Sequence, residues 1–150
     1  MKLIQIFEAV NKQSVKDALA ALEQARSVKY WMEPEFKTES YKYPQKGKPN
    51  SFFETTSKGT KMGGGSWSSD DLIAYDNKGK IVGVLSMSNQ GDDKGAFKIS
   101  VREDAKRKGW GSKLLDKAEQ SGIDIVGSIK VNSFSSSGRD LLRSWLTKKL

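Results

Sequence analysis

Hydrophobic residues recur at helical spacing in three stretches of the chain. The first follows Ser14 as a helix N-cap and reaches about Arg26, the second lies between Gly111 and Gly122, and the third spans Gly138 to Lys149. Each stretch predicts an amphipathic helix with one face in the core. The predicted inward residues are Val15, Ala18, Leu19, Leu22 and Ala25 in the first helix, Leu114, Leu115 and Ala118 in the second, and Leu141, Leu142, Trp145 and Leu146 in the third.

Four shorter apolar runs predict β-strands. They are Asp71 to Asp76, Ile81 to Ser88, Ala96 to Val101 and Ile123 to Val131. Turn sequences containing glycine join the first three, so we expect three consecutive antiparallel strands. Strands with helices interspersed, and no internal repeat, predict an α+β (mixed α/β) domain.

Residues 30–69 show neither the helical spacing nor the strand-like runs of hydrophobic residues. Prolines and glycines interrupt the segment, yet it is rich in aromatic residues: Tyr30, Trp31, Phe36, Tyr41, Tyr43, Phe52, Phe53 and Trp67. It is either a long functional loop with short elements inside it or a partly disordered insertion. The aromatic side chains argue against full disorder, and we expect most of them to pack the segment onto the sheet.

Composition excludes several kinds of chemistry. With no Cys and no His, the chain has no thiol nucleophile, no Ser-His-Asp triad and no thiolate or imidazole metal ligand, so no metal site is expected. The 26 Lys and Arg against 18 Asp and Glu give a net charge of +8, which favours polyanionic partners such as phosphorylated cofactors or nucleic acid. No apolar run could cross a membrane and no secretory signal is evident, so we expect a cytoplasmic protein.

The most informative element joins the third strand to the second helix. A basic loop, Arg102 to Lys108, is followed by Gly109-Trp110-Gly111 at the head of the helix. The unpaired N–H groups of a helix's first turn bind anions, and glycines let the backbone approach them, so this is a candidate pyrophosphate cradle. Two other phosphate motifs fail: Gly59 to Ser66 has Gly65 where a Walker A loop needs Lys, and GWGSKL lacks the third glycine of a Rossmann fingerprint.

Residues 101–115, VREDAKRKGWGSKLL, resemble the acetyl-coenzyme A motif of the GNAT (Gcn5-related N-acetyltransferase) superfamily, V-x-P-x-x-[RQ]-G-x-G-[IVL]-G-x-x-L-L. Every interval matches, while Glu103, Lys106, Arg107 and Trp110 replace the usual Pro, Arg or Gln, Gly and small aliphatic residue. The resemblance covers about residues 71–146. It implies one GNAT-like domain over residues 1–150, with a mostly antiparallel sheet flanked by helices. Because the chain stops at Leu150, after the helix that normally precedes two more strands, we expect the usual last strands to be lacking.

The resemblance also implies an activity, the transfer of an acetyl group from acetyl-CoA to an amine of a protein or small molecule. The pantetheine arm would pair with Ile99, Ser100 and Val101. The phosphates would bind the loop and helix start, at Lys106, Arg107, Lys108, Gly109, Trp110, Gly111 and Ser112. The acceptor amine and the oligomeric state stay open.

The sequence departs from the family where proton transfer is expected. Leu142 stands where many members have a catalytic Tyr, and the strand Ala96 to Val101 contains no carboxylate. Candidate substitutes are the hydroxyl of Ser135, Ser136 or Ser137 as donor and the carboxylate of Asp124, Asp92 or Glu103, through water, as base. The plainer interpretation is that the serines cap the last helix. The missing groups leave a second hypothesis, a non-catalytic basic GNAT-like scaffold that is a DNA-associated or host-directed phage protein.

The N-terminus carries a second resemblance. MKLIQIFE followed by Ala9 is similar to the capsid-targeting segments of internal head proteins in tailed phages, which are cut after an aliphatic-x-Glu triplet, here Ile6-Phe7-Glu8. It implies a virion-packaged protein. The alternative is that residues 1–12 form a first β-strand.

Overall fold

The computed structural model of the chain describes residues 3–28, 43–60 and 63–150, with side chains from residue 11 onward. Within these residues it contains four helices, α1 to α4, four strands, β1 to β4, and two short 3-10 turns at Glu103–Ala105 and Ile129–Val131. The helices are α1 Leu3–Gln24, α2 Trp110–Gln120, α3 Ile125–Ser128 and α4 Ser136–Thr147, and the strands are β1 Phe52–Thr60, β2 Ser66–Tyr75, β3 Ile81–Ser88 and β4 Phe97–Val101. The strands form one antiparallel sheet in the order β1-β2-β3-β4, which confirms the predicted α+β fold.

The sheet has an apolar cluster on each face. The larger cluster packs the helices against one face and contains the predicted inner residues Val15, Leu22, Leu114, Leu142 and Trp145, each at most 5% exposed. The smaller cluster lies on the other face and consists of Tyr43, Ile73, Tyr75, Ile81 and Val84. The first cluster confirms the helical faces predicted from residue spacing.

Helices α2 and α4 lie side by side and run in the same direction. Three contacts join the two helices. A Cβ atom at Gly111 would lie 2.8 Å from Cδ2 of Leu141, the Trp145 indole N–H donates to Asp116 at 2.8 Å, and Lys149 pairs with Glu119 at 2.7 Å. Residue numbers increase along both helices from the first contact to the third. The N-termini of both helices are therefore at one end of the molecule. Because α2 follows β4 through the loop at residues 102–109, this is also the end where β4 finishes.

Helix α1 runs antiparallel to α4, and one arginine closes its C-terminus. The Arg139 guanidinium donates to the carbonyl oxygens of Leu22 and Ala25, the latter at 2.9 Å, and Arg143 pairs with Glu23 at 2.8 Å. Basic groups satisfy the last carbonyls of a helix in this way. The C-terminus of α1 therefore lies at the end of the molecule that holds the loop.

Two predictions for the N-terminal region are wrong. Residues 3–12 belong to α1 and form no strand, and Ser14 lies inside the helix rather than at its cap. Residues 3–24 contain neither Gly nor Pro, so nothing in the backbone interrupts the helix before Ser14. Cleavage after Glu8 stays a prediction.

The predicted strand from Ile123 to Val131 is also wrong. The segment forms α3 and a 3-10 turn, because Asp124 caps α3 by accepting the Gly127 N–H at 2.9 Å. Ile125 and Ile129, four residues apart, are both at most 1% exposed. That spacing places both on one helical face, which the apolar run alone did not distinguish from a strand.

Part of the segment 30–69 is regular structure. Residues 52–60 form β1, and β2 begins at Ser66, three residues before the predicted end of the segment. Tyr43 is buried in the smaller cluster, and its neighbourhood is fixed by the Tyr75 hydroxyl, which donates to the Pro44 carbonyl at 2.9 Å. Residues 30–42, with four of the aromatic residues, lie outside the described part.

Candidate functional site

Strand β4 forms one edge of the sheet and presents backbone groups there. The Ser88 N–H donates to the Ala96 carbonyl at 2.8 Å, and the Arg102 N–H donates to the Val82 carbonyl at 2.8 Å. Between Ala96 and Arg102, the backbone N–H and C=O groups of successive residues therefore point alternately toward β3 and away from it. Ile99 and Val101 therefore point their N–H and C=O groups away from β3. Ser100, paired with Val84, points its backbone groups toward β3. Of the three residues predicted to pair with pantetheine, Ile99 and Val101 have the required direction and Ser100 does not.

The start of this edge is occupied by the side chain of Asn132, which sequence reasoning missed. Its Oδ1 atom accepts the Phe97 N–H at 2.9 Å, and its amide nitrogen donates to the carbonyls of Gly95 at 3.0 Å and Ser128 at 2.7 Å. Asn132 is 9% exposed. One buried side chain thus ends strand pairing at Phe97, and the edge toward Val101 carries no other partner in the described residues.

After Val101 the chain turns twice through the left-handed region before α2. Arg107 has φ +64° and Gly109 has φ +85°. A Cβ atom at Gly109 would meet nothing within 4 Å, so this glycine is required by its backbone angle and leaves open space above the helix. Gly111 has a different role, because its missing side chain lets α2 approach Leu141 of α4.

The N-terminus of α2 offers unpaired donors. The first bond within the helix runs from the Lys113 N–H to the Gly109 carbonyl at 3.1 Å, so the N–H groups of Trp110, Gly111 and Ser112 precede it. No side chain of the described residues caps this end. Three converging N–H groups beside open space fit a phosphate.

The loop is fastened to the sheet by Arg102. Its guanidinium donates to the Ile81 carbonyl at 2.8 Å, pairs with Asp76 at 2.9 Å and pairs with Asp104 at 2.5 Å. Burial of Asp76 acts to raise its pKa, but hydrogen bonds from Arg102 and from the backbone of Lys80 and Lys78 outweigh it, so the pKa of Asp76 is lowered. Asp76 and Arg102 therefore form a charged clamp between the β2–β3 turn and the loop, and sequence reasoning did not identify it.

The three predicted basic residues of the loop are exposed. Lys106 pairs with Glu103 at 2.8 Å, while Arg107 and Lys108 are exposed and form no ion pair with the described residues. Trp110 is half-buried against the core, and the Lys113 ammonium lies 4.4 Å from its ring centre. Lys106, Arg107 and Lys108 can thus supply charge around the helix N-terminus, whereas Trp110 mainly packs.

The structure does not bring the predicted catalytic residues together. Ser135 caps α4, where its hydroxyl accepts the Gly138 N–H at 3.2 Å, and Ser136 is exposed at the first residue of α4. Both lie at the loop end of the molecule because α2 and α4 are parallel. Asp124 lies beyond the C-terminus of α2. The 11 residues of α2 rise about 1.5 Å each, so Asp124 is about 16 Å from the loop end of the molecule. It is the cap of α3 and lines a groove of about 850 Å³ with α1 residues such as Asn11 and Ala18.

Two further positions bear on proton transfer. Leu142, at the position where the resemblance implies a Tyr, is 1% exposed in the larger cluster. Asp71 on β2, which sequence reasoning missed, is a carboxylate only 2% exposed that accepts hydrogen bonds from Ser57 and, at 2.9 Å, from Ser69. Since β3 separates Asp71 from β4, it lies about 10 Å from the open edge.

The described residues contain no group of three or more Asp and Glu side chains that could hold a metal ion. Their helices include none that is both long and apolar enough to cross a membrane.

The segment that builds this site matches a known family. Residues 68–142, half of the chain, match the family described as Acetyltransferase (GNAT) domain. The match contains β2 from Ser68 onward, β3, β4, the loop, α2, α3 and the first half of α4. Comparison with curated proteins and with solved structures gives no match. The chain belongs to the GNAT acetyltransferase domain family.

Proposed function

We propose that this protein, as one domain over residues 1–150, is an N-acetyltransferase that uses acetyl-CoA and an amine acceptor. One observation carries the proposal: an open strand edge at Ile99 and Val101 runs directly into an uncapped helix N-terminus, within the segment matched by the family. Such a continuous path offers backbone partners first to a linear amide chain and then to a pyrophosphate.

The residues present fit acetyl-CoA. Ile99 and Val101 would hydrogen-bond the pantetheine amides, and the N–H groups from Arg107 to Ser112 would hold the pyrophosphate. Lys106, Arg107 and Lys108 would add screened attraction for the remaining phosphate. The group supplies a reactive thioester when bound, so the chain's own task is to orient it and manage two protons.

Proton handling falls to hydroxyls and water. As the new C–N bond forms and the C–S bond breaks, the acceptor nitrogen loses a proton and the leaving sulfur gains one. Ser136 is our candidate donor because it is exposed at the loop end and its hydroxyl is not used as a cap. Water takes the proton of the acceptor nitrogen in this proposal, because the Asp124 carboxylate caps α3 and lies about 16 Å from the loop end, beyond the reach of one bridging water.

Paired serine variants test this assignment. Ser136→Ala should lower kcat about tenfold or more with little change in melting temperature, because an exposed donor is lost and no cap is removed. Ser135→Ala should instead lower stability by about 1 kcal/mol through loss of the cap. Steady-state kinetics and thermal unfolding of both variants measure these effects. Equal kcat values for Ser136→Ala and the parent would remove Ser136 from the mechanism.

Calorimetric titration with acetyl-CoA, followed by turnover on a panel of amines, tests the function itself. We expect binding, and pantetheine alone should bind about tenfold or more weakly because it lacks the phosphates that the α2 N-terminus would hold. Acetyl-CoA that binds without turnover on any amine would favour the non-catalytic scaffold. A protein that is folded but does not bind acetyl-CoA would refute the proposal.

A further inference from the structure

One end of the molecule is covered by basic segments, which we call the basic end. It consists of three segments, residues 43–51, 76–80 and 102–108. Together they contain eight Lys and Arg residues and three Asp and Glu residues. Only the third segment belongs to the proposed cofactor site, so the charge of the first two needs a separate explanation.

Backbone contacts hold the three segments together. Lys46 and Lys80 form an antiparallel β-bridge, and the Gly47 N–H donates to the Gly79 carbonyl at 2.8 Å. The Asp76 carboxylate accepts the Lys78 and Lys80 N–H groups at 2.8 and 3.0 Å and pairs on its other oxygen with Arg102. The lysines of the first two segments thus form one surface continuous with the loop.

The charge of this surface is not neutralised from within. All three acidic residues are engaged: Asp76 and Asp104 pair with Arg102, and Glu103 pairs with Lys106. Lys46, Lys48, Lys78 and Lys80 are exposed, and none of them forms an ion pair with the described residues. Four ammonium groups therefore face solvent on short, hydrogen-bonded turns.

The described residues of the three segments expose none of the apolar anchors that a protein partner would use. Tyr43, Tyr75 and Ala105 in or beside these segments are at most 7% exposed. The large hydrophobic residues exposed in the described chain, Phe53, Val131 and Leu150, lie outside the three segments. Protein interfaces are centred on buried aromatic or apolar anchors, whereas phosphate backbones are bound mainly by Lys and Arg.

We propose that the basic end binds the phosphodiester backbone of duplex DNA without sequence preference, through Lys46, Lys48, Lys78 and Lys80. The three segments, all within the described residues, expose no aromatic side chain of their own, so their lysines provide backbone contacts and no platform for stacking unpaired bases. This inference goes beyond acetyl transfer and does not depend on it, because none of the four lysines belongs to the proposed acetyl-CoA site.

Fluorescence anisotropy with a labelled 20-base-pair duplex tests the proposal on the full chain. We compare the parent with a variant carrying Lys→Ala at positions 46, 48, 78 and 80. Through counterion release, four phosphate contacts raise the dissociation constant about a hundredfold between 50 and 200 mM salt. The increase measured for the variant over this salt range should therefore be about a hundredfold smaller than the increase measured for the parent. The matched control carries Lys→Ala at exposed positions 12, 16, 94 and 130, which removes the same charge elsewhere.

The outcomes separate the alternatives. Loss of salt-dependent binding in the first variant but not in the control supports the proposal, provided that both melt cooperatively. Equal loss in both variants would reduce the effect to net charge and overturn the assigned surface. Absence of duplex binding at 50 mM salt, or equal competition by poly-glutamate, would overturn nucleic acid as the partner. Acetyl-CoA titration of the same variants reports on the proposed function separately.

Discussion

Replacing Gly109 by Val should abolish measurable acetyl-CoA binding, or weaken it about a hundredfold or more. At φ +85° a β-branched residue is strained, and relief of that strain would rotate the N–H groups at the start of α2. The new side chain would also occupy the open space beside them. Losing two hydrogen bonds to a charged group, at about 1.5–3 kcal/mol each, accounts for the magnitude. Calorimetric titration measures it.

The same helix offers a matched control. Gly122 follows the C-terminus of α2 with φ +91° and has equally open surroundings. Gly122→Val should therefore cost similar stability, about 1–3 kcal/mol, while leaving acetyl-CoA affinity near the parent value. If both variants lost affinity equally, destabilisation alone would explain the result and the phosphate site would be misplaced. Gly111 is unsuitable here, because its substitution would displace Leu141.

Replacing Asp76 by Asn should give the second large effect, a loss of about 1–3 kcal/mol in the free energy of unfolding at neutral pH. Asn retains an oxygen that can accept the turn N–H groups of Lys78 and Lys80. It removes the negative charge that faces Arg102, whose side chain is 31% exposed. Chemical unfolding measures the loss. Because the clamp positions the loop, acetyl-CoA affinity should fall as well.

The difference in unfolding free energy between the parent and Asp76→Asn should decrease as the pH falls. The pKa of Asp76 is lowered in the folded protein, so its contribution is complete above the unfolded value of about 3.9. The contribution disappears as the pH falls through the lowered folded value. The parent and Asp76→Asn should thus differ fully at pH 7 and converge in acid.

Asp104→Asn provides the comparison for Asp76→Asn. It removes the other carboxylate that pairs with Arg102, but the Asp104 side chain is 72% exposed. Exposed ion pairs contribute little to stability, so its unfolding free energy should stay close to that of the parent. A larger loss of unfolding free energy in Asp104→Asn than in Asp76→Asn would contradict this, and would show that Arg102 stabilises the fold mainly through Asp104.

Local patterns were sufficient for much of this fold. The turns after Asp76 and Ser88 predicted the antiparallel order of β2, β3 and β4, and the spacing of Leu114, Leu115 and Ala118 predicted the inner face of α2. Both are properties of neighbouring residues. The glycine pair at the head of α2 was found in the same way, although only the structure shows that Gly109 and Gly111 have separate roles.

The features that sequence reasoning missed depend on distant partners. Asn132 acts on Phe97 across 35 positions, and Arg102 acts on Asp76 across 26. Asp71 is held by Ser57 on the neighbouring strand. A polar residue next to an apolar run gives no local sign of such a partner. The strand prediction for residues 123–131 failed for a different reason, because its signals are local: Asp124 caps α3, and Ile125 and Ile129 lie four residues apart on one buried face.

The side chain of Asn132 also bears on whether the edge of the sheet can pair with a strand of another chain. An unprotected edge strand is a template on which another chain can extend the sheet, and long flat edges promote aggregation. Here the amide occupies the first position of a five-residue strand, which leaves only Ile99 and Val101 to offer outward N–H groups. Such a short remainder can hold a slender linear molecule but gives a polypeptide strand little length to pair with. Asn132 thereby keeps the edge available to a small ligand while limiting the growth of intermolecular sheets.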